Sequence, residues 1–250
     1  MPAVSASKYL VQASWSDVPH LDDKAKAELL SGIMPYQREA RTQGLPSLGA
    51  GAIYPIPKSD IVCKPFVIPA YWPRAYGMDV GWNRTSAIWG AKDQNSDTIY
   101  LYAEHYMGEA LPTIHAAAIK ARGDWIPGVI DPAARGRSSV DGEQLLATYQ
   151  ALGLHLEPAD NSVESGIYAM WERFSTGRLK VFETLTNFLG EYMIYRRDAK
   201  GHIVKQYDHA MDASRYLIMT GMGRAMIKPA ARGFANAIGS AGGGDRSVGY

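Results

Sequence analysis

Three aspartates stand out by where they lie. Asp79 falls in an apolar run between Met78 and Val80, with glycines at 77 and 81. Asp131 ends the run Val129-Ile130 and precedes Pro132. Asp212 follows Asp208 by four residues and His209 by three, within Tyr207-Asp-His-Ala-Met-Asp-Ala-Ser-Arg-Tyr216. Helical spacing puts Asp208, His209 and Asp212 on much of one face. An ionised carboxylate inside an apolar strand is costly unless it is paired, hydrogen-bonded or bound to a cation. Two carboxylates one helical turn apart repel unless a cation lies between them. Clustered carboxylates suit hard cations, Mg2+ or Mn2+, rather than zinc. Two such ions about 3.5–4 Å apart can activate water and stabilise the leaving oxygen in phosphodiester hydrolysis. Singly, each residue also has a structural use: Asp79 as a strand-end turn acceptor, Asp131 as an Asp-Pro turn starter, Asp208 as a helix N-cap. A cap does not account for Asp212, one turn inside a largely apolar helix.

The elements around these residues determine whether they can meet. Residues 75–82, 85–91 and 98–106 read as three consecutive strands with turn chemistry between them, including Asp93-Gln-Asn-Ser-Asp97. After them the pattern predicts a helix over 113–122, a strand over 128–131 stopped by Pro132, a helix over 142–152 and a strand over 154–156. It continues with a helix over 163–174, a strand over 179–182, a helix over 186–195, a charged hairpin around 198–201 and a last helix over 208–220. Three antiparallel strands followed by alternating helices and strands describe an α/β fold, a mixed five- to six-stranded sheet with helices on both faces. The order is that of a ribonuclease H-like fold, in which both strand-end aspartates and the last-helix aspartate converge. Residues 1–72 carry Pro19, Pro35, Pro46, Pro55, Pro57, Pro65 and Pro69 and one clear helical pattern over 24–31, so they are expected as a linker or appended piece. The nuclease-like unit is then 73–224, and the Gly/Ala-rich segment 225–250 is expected to be a flexible tail.

Composition narrows the class. The chain has 250 residues, 46% of them hydrophobic, with fifteen tyrosines and six tryptophans. That suits one generous packed domain. No run approaches the roughly 20 apolar residues of a membrane helix. Cys63 is the only cysteine, which excludes an internal disulfide and a multi-cysteine zinc site. The net charge of +1 gives no global attraction to a polyanion. Phosphate contacts must therefore be local, and Arg196, Arg197, Lys200 and Lys205, opposed by Asp198 alone, are the first candidates. Arg135 and Arg137, just after Asp131, are the second.

On these motifs the chain resembles the C-terminal nuclease domain of the large terminase subunits of tailed bacteriophages. The resemblance runs from about residue 12 to 222, through Tyr76-Gly-Met-Asp-Val-Gly-Trp82, Val129-Ile-Asp-Pro-Ala133 and Tyr195-Arg-Arg-Asp-Ala-Lys-Gly-His-Ile-Val204. Its most specific part is the charged hairpin followed by Asp-His-x-x-Asp-Ala-x-Arg-Tyr. The resemblance implies that Asp79, Asp131, Asp212 and His209 are catalytic, and that Asp79, Asp131, Asp212 and Asp208 hold two Mg2+ or Mn2+ ions. It implies cleavage of concatemeric double-stranded DNA during genome packaging in the host cell cytoplasm, with the portal and the small terminase subunit as partners. The family's subunits carry an N-terminal ATPase motor; no Gly-x-x-x-x-Gly-Lys-Ser/Thr loop occurs here, so no ATP site is expected, and residues 1–72 are expected to be linker and the motor's end. Ser214 stands where many relatives carry leucine, which reads as a packing change. Two other readings stay open: another ribonuclease H-like nuclease, such as a junction resolvase or transposase, and a non-catalytic DNA- or portal-docking module.

Overall fold

The computed structural model describes residues 14–18, 20–31, 42, 51–135, 145–198 and 200–229. Helix α1 (Asp23–Ser31) is followed by the short α2 (Lys58–Ile61) and strand β1 (Val62–Cys63). Strands β2 (Arg74–Asp79), β3 (Thr85–Asp93) and β4 (Thr98–Met107) form an antiparallel meander. Next come α3 (Pro112–Lys120), β5 (Gly128–Ile130), α4 (Leu145–Ala151), β6 (Leu156–Pro158) and α5 (Val163–Ser175). Strand β7 (Leu179–Phe182), α6 (Thr186–Ile194) and α7 (His209–Met219) complete the order.

The sheet has seven strands in the order β1-β7-β4-β3-β2-β5-β6, rather than the five or six expected. The additional edge strand, β1, lies in the proline-rich segment, where Val62 and Cys63 pair in parallel with Val181 and Phe182. The boundary expected at residue 73 thus falls between two strands of one sheet. Two-residue strands flanked by prolines have no alternating pattern to reveal them; only pairing with β7 makes β1 a strand. Of the expected tail, Met226 pairs with Arg74, and residues 230–250 lie outside the described residues. The strand expected at 154–156 starts at Leu156, because Gly153, at φ +88°, turns the end of α4 and Leu154 still bonds back to Tyr149.

Both faces of the sheet are covered, which is why β3 is buried over seven consecutive residues instead of alternating. On one face Tyr76, Met78, Trp89 and Ile130 pack with Ala116, Ile119, Leu146 and Tyr149 of α3 and α4. On the other, Ala75, Ile88, Leu101 and Val181 pack with residues of α5, α6 and α7. No helix among the described residues is long and apolar enough to cross a membrane.

The approach of α7 to β2 depends on one residue. A Cβ on Gly77 would lie 2.1 Å from the Ala213 carbonyl oxygen and 2.7 Å from the Leu217 nitrogen, both backbone atoms of α7. Backbone cannot swing aside as a side chain does, so the strand and helix meet this closely only because position 77 has no side chain. Gly77→Ala should lower stability by about 1–3 kcal/mol, the usual cost of overpacking, read as a lower urea midpoint with unchanged slope. A variant as stable as the parent would show that the helix position is not set here.

A second joint links β4 to α3. His105 Nε2 and His115 Nδ1 share a hydrogen bond at 2.8 Å, and both residues are buried. Burial lowers both pKa values; His115 and Arg122 depress His105 further, to about 4. In the unfolded chain both return to the ordinary value of about 6.5. The unfolded state then binds more protons between those values, so the pair's contribution is present above pH ~6.5 and is lost as pH falls toward 4. Urea unfolding across that window should show the loss, and His105→Phe should flatten it. An unchanged pH slope in the variant would assign the acid sensitivity elsewhere.

Candidate active site

The carboxyl ends of β2 and β5 lie side by side. The two strands are parallel with Met78 opposite Ile130, and the Asp131 amide donates to the Met78 carbonyl at 3.0 Å. Asp79 is therefore the last residue of β2, and Asp131 is the first after β5. The Asp131 carboxylate accepts the Ala133 amide at 3.0 Å, a local turn that holds it at the strand end.

Helix α7 supplies the other acids. Asp79 shares a sheet face with Gly77, since strand side chains alternate. Two strand residues rise about 6.7 Å and four helical residues rise about 6.0 Å. With Gly77 against Ala213, that match brings Asp79 level with His209. The His209 Nδ1 lies 2.9 Å from Asp79 Oδ2. Asp212 is one residue before Ala213, and both Asp208 and Asp212 are buried.

The helix N-terminus is not capped as the sequence suggests. Asp208 occupies the N-cap position but makes no side-chain capping bond. Glu191 of α6 does this instead: its Oε2 accepts the amides of Ala210 at 2.6 Å and Met211 at 3.3 Å, while its Oε1 accepts the Tyr106 hydroxyl at 2.6 Å. The Asp208 carboxylate is left for other work. Glu191 has no local sequence signal, because the cap comes from 19 residues earlier in the chain.

Each acid on α7 has a basic neighbour. The Lys205 ammonium sits 3.1 Å from both Asp208 Oδ2 and Asp212 Oδ2. The Asp208 contact lacks hydrogen-bond alignment, so it is an ion pair without a directed bond. Arg215, 1% exposed, donates to Asp212 Oδ1 at 3.0 Å and to Asn161 Oδ1 at 3.0 Å, and its guanidinium lies over the Tyr216 ring. Gly166 of α5 gives it room: a Cβ there would lie 2.4 Å from Arg215 Cγ. Burial pushes the Asp79 carboxyl up, Asp212 and Asp131 push it further, and the His209 hydrogen bond opposes them without winning. The same hydrogen bond raises the His209 pKa. Burial works against the Lys205 ammonium, but Asp212 and Asp208 outweigh it and raise its pKa.

These effects bring Asp79, Asp131, Asp208, His209 and Asp212 into one electrostatic unit. The donor set is oxygen-rich and acidic, the chemistry of Mg2+ or Mn2+ rather than of a softer metal. Among the described residues no three His, Cys, Asp or Glu stand close enough together to enclose an ion as they are. Lys205, His209 and Arg215 neutralise the acids in this arrangement. The mutual repulsion on Asp79 is the strain a divalent cation would relieve.

The candidate phosphate contacts divide. Arg197 pairs with Glu164 through both terminal nitrogens and also donates to the Gly201 carbonyl, so its charge is met within the chain. Lys205 is turned to the acids. Arg196 and Lys200 are exposed on the hairpin, which is pinned by the Arg197–Ile203 bridge and the Asp198–His202 backbone bond. Arg135 lies beyond the sheet in a short 3-10 turn (Pro132–Arg135); its side chain and Arg137 lie outside the described residues. Ser214, fully buried, returns its hydroxyl to the Ala210 carbonyl at 2.7 Å and fills its position without an apolar side chain.

A mixed sheet with acids at the ends of two neighbouring parallel strands, completed by an acid on the last helix, defines a ribonuclease H-like nuclease fold. The chain belongs to the terminase RNaseH-like domain family, whose profile matches residues 76–220. It is 33% identical over 222 residues to the large terminase subunits of Enterobacteria phage LP7 and Salmonella phage P22. That match covers 85% of this chain and 46% and 44% of theirs, so the chain spans less than half the length of these relatives. The solved nuclease domain of the P22 large terminase is 32% identical, covers 73% of this chain and 97% of its own, and superposes with a TM-score of 0.66. The large terminase of a thermophilic bacteriophage, solved in complex with ADP, shares the fold at 20% identity and a TM-score of 0.60, over 83% of this chain and 54% of its own.

Arg215 is the site residue that sequence reasoning misses, although its i,i+3 spacing from Asp212 is an ion-pair signal. Replacing it with methionine leaves Asp212 without its buried partner. Arg215→Met should cost about 3–5 kcal/mol, measured as a fall in the unfolding midpoint. A near-neutral result would mean that Lys205 alone suffices for Asp212.

Proposed function

We propose that this chain is a metal-dependent DNA endonuclease that cuts concatemeric double-stranded DNA during viral genome packaging. The observation that carries this reading is the placing of Asp79 and Asp131 at the ends of adjacent parallel strands, with His209 of α7 2.9 Å from Asp79 and Asp212 in the same first turn of that helix. Membership of the terminase family supports the packaging role. The setting is the host cell cytoplasm, with the portal and the small terminase subunit as partners.

Asp79, Asp131 and Asp212 would hold Mg2+ or Mn2+, with Asp208 next to Asp212. Bound there, divalent cations supply an activated water and charge stabilisation on the phosphate oxygens. The chain's own groups do the rest. His209 would hold a proton against Asp79 Oδ2, and its side chain is one-third exposed. In hydrolysis water adds to phosphorus, a P–O bond breaks and the departing oxygen takes a proton; His209 is the group placed to give it. Arg215 and Asn161 hold Asp212 in position, and Glu191 holds the start of α7. Arg196 and Lys200 meet backbone phosphates, contacts that position DNA without reading sequence.

Plasmid relaxation in Mg2+ or Mn2+ is the direct test. Asp79→Asn, Asp131→Asn and Asp212→Asn should each lower the rate by more than the roughly 10- to 100-fold typical of groups that only orient a metal ligand. A wild-type protein as inert as the three variants at every metal concentration would favour a docking module instead. Arg196→Gln with Lys200→Gln should reduce the salt slope of DNA binding by about 1.8, at about 0.9 per phosphate contact. An unchanged slope would place the phosphate contacts elsewhere.

A further inference from the structure

Beside the acids the surface opens into a cleft of about 410 Å3, lined among others by Arg84, Tyr106, Asn187, Glu191, Ile194 and Tyr207. Three of its lining residues neighbour the candidate active site. Glu191 caps α7, Tyr207 immediately precedes Asp208, and Arg84 ends the turn that follows Asp79. That size is within the range of small-molecule sites.

Its chemistry points to a flat, polar-edged ligand. The Arg84 guanidinium carbon sits 4.7 Å from the centroid of the Tyr106 ring, and that ring is anchored by its hydroxyl on Glu191. Glu191 is engaged by three donors, and the Asn187 side-chain amide donates to Glu104 at 2.8 Å, which leaves Arg84, Tyr207, Thr186 and the Asn187 carbonyl oxygen as the groups facing an occupant. Tyr207 is the unusual member. Its φ of +55° is strained for a bulky side chain, and the residue is 58% exposed, so core packing gives no reason for the strain. Trp82, on the same turn as Arg84, is 65% exposed. Aromatic faces, a guanidinium plane and an amide edge are the means by which proteins hold unstacked bases. A phosphate alone would require none of the aromatic surface.

We propose that this cleft receives one unpaired base of the DNA strand next to the phosphate being cut, stacked on Tyr207 and the Arg84 guanidinium with the Asn187 carbonyl oxygen at its edge. The proposal rests on the nuclease reading above. It makes local strand opening part of substrate binding, and gives the site a preference for distorted or gapped duplex.

The test measures binding in EDTA, where no cutting occurs, of a blunt duplex and of a duplex of equal length with a short single-stranded gap. Wild type should bind the gapped DNA roughly tenfold more tightly, within the range for stacking one base. Tyr207→Gly, which relieves the backbone strain and so preserves the fold, should lose that preference, with gapped-duplex binding falling much more than blunt-duplex binding. Arg84→Gln should lose it in part, and Tyr207→Phe should keep it. Equal affinity of wild type for both DNAs, or a preference that survives Tyr207→Gly, overturns the proposal. Plasmid cutting in Mn2+ run alongside separates the two readings: cutting without gap preference removes the base site alone, and neither cutting nor DNA binding removes both.

Discussion

The closest packing constraint in the site is the contact of Gly77 with the backbone of α7. A helix cannot lie this near a strand over any residue with a Cβ, and the depth of that contact decides how far the helical acids stand from the strand-end acids. Because two strand residues and four helical residues rise by nearly the same distance, a single point of contact also sets the register. Asp79 then faces His209, and Asp212 sits one residue from the contact itself. The rigid part of the site is thus backbone against backbone, with the charged side chains added at its upper end.

Electrostatics then determine what that geometry can tolerate. Four carboxylates gathered at low exposure would drive the helix off the sheet if left unpaired. Lys205 spans Asp208 and Asp212, Arg215 holds the far side of Asp212, and His209 bonds Asp79. These partners differ in burial. Arg215 is enclosed by Gly166, Asn161 and Tyr216 and belongs to the framework, whereas Lys205, on the exposed hairpin side, is more than half exposed. The cations that keep the acids together are therefore graded from fixed to displaceable. The hairpin that carries Lys205 also carries Arg196 and Lys200, so the same segment faces the acids on one side and solvent on the other.

The aromatic cleft extends this arrangement along the surface. Glu191 joins the two regions: its carboxylate caps α7 and anchors Tyr106, so the groove wall and α7 are held by one buried side chain. Burial raises the Glu191 pKa, and the hydrogen bonds from Tyr106 and the α7 amides oppose that rise. A carboxylate so enclosed is kept by its donors, and in turn it orders two features that the chain supplies 104 residues apart, at Tyr106 and Ala210.

Much of this was legible in the residues themselves. The meander of three strands, the alternation that follows, the placing of Asp79 and Asp131 at strand ends and that of Asp212 in the first turn of the last helix are local properties, carried by periodicity, glycines and prolines. The family motif around 208–216 is local as well. What depended on distance along the chain was not legible. Strand β1 is a strand only because β7 lies beside it, and its two residues carry no pattern. Glu191 displaces Asp208 as the helix cap from another helix. Arg197 and Lys205 looked like free cations because their acidic partners, Glu164 and the α7 aspartates, can be matched to them only once the hairpin is folded back. Sequence alone named the candidate acids and the element that carries each one. Only the tertiary structure decided which charges are already met and which remain open to a ligand, because pairing a charge is a matter of a few ångströms in space and no fixed spacing along the chain encodes it.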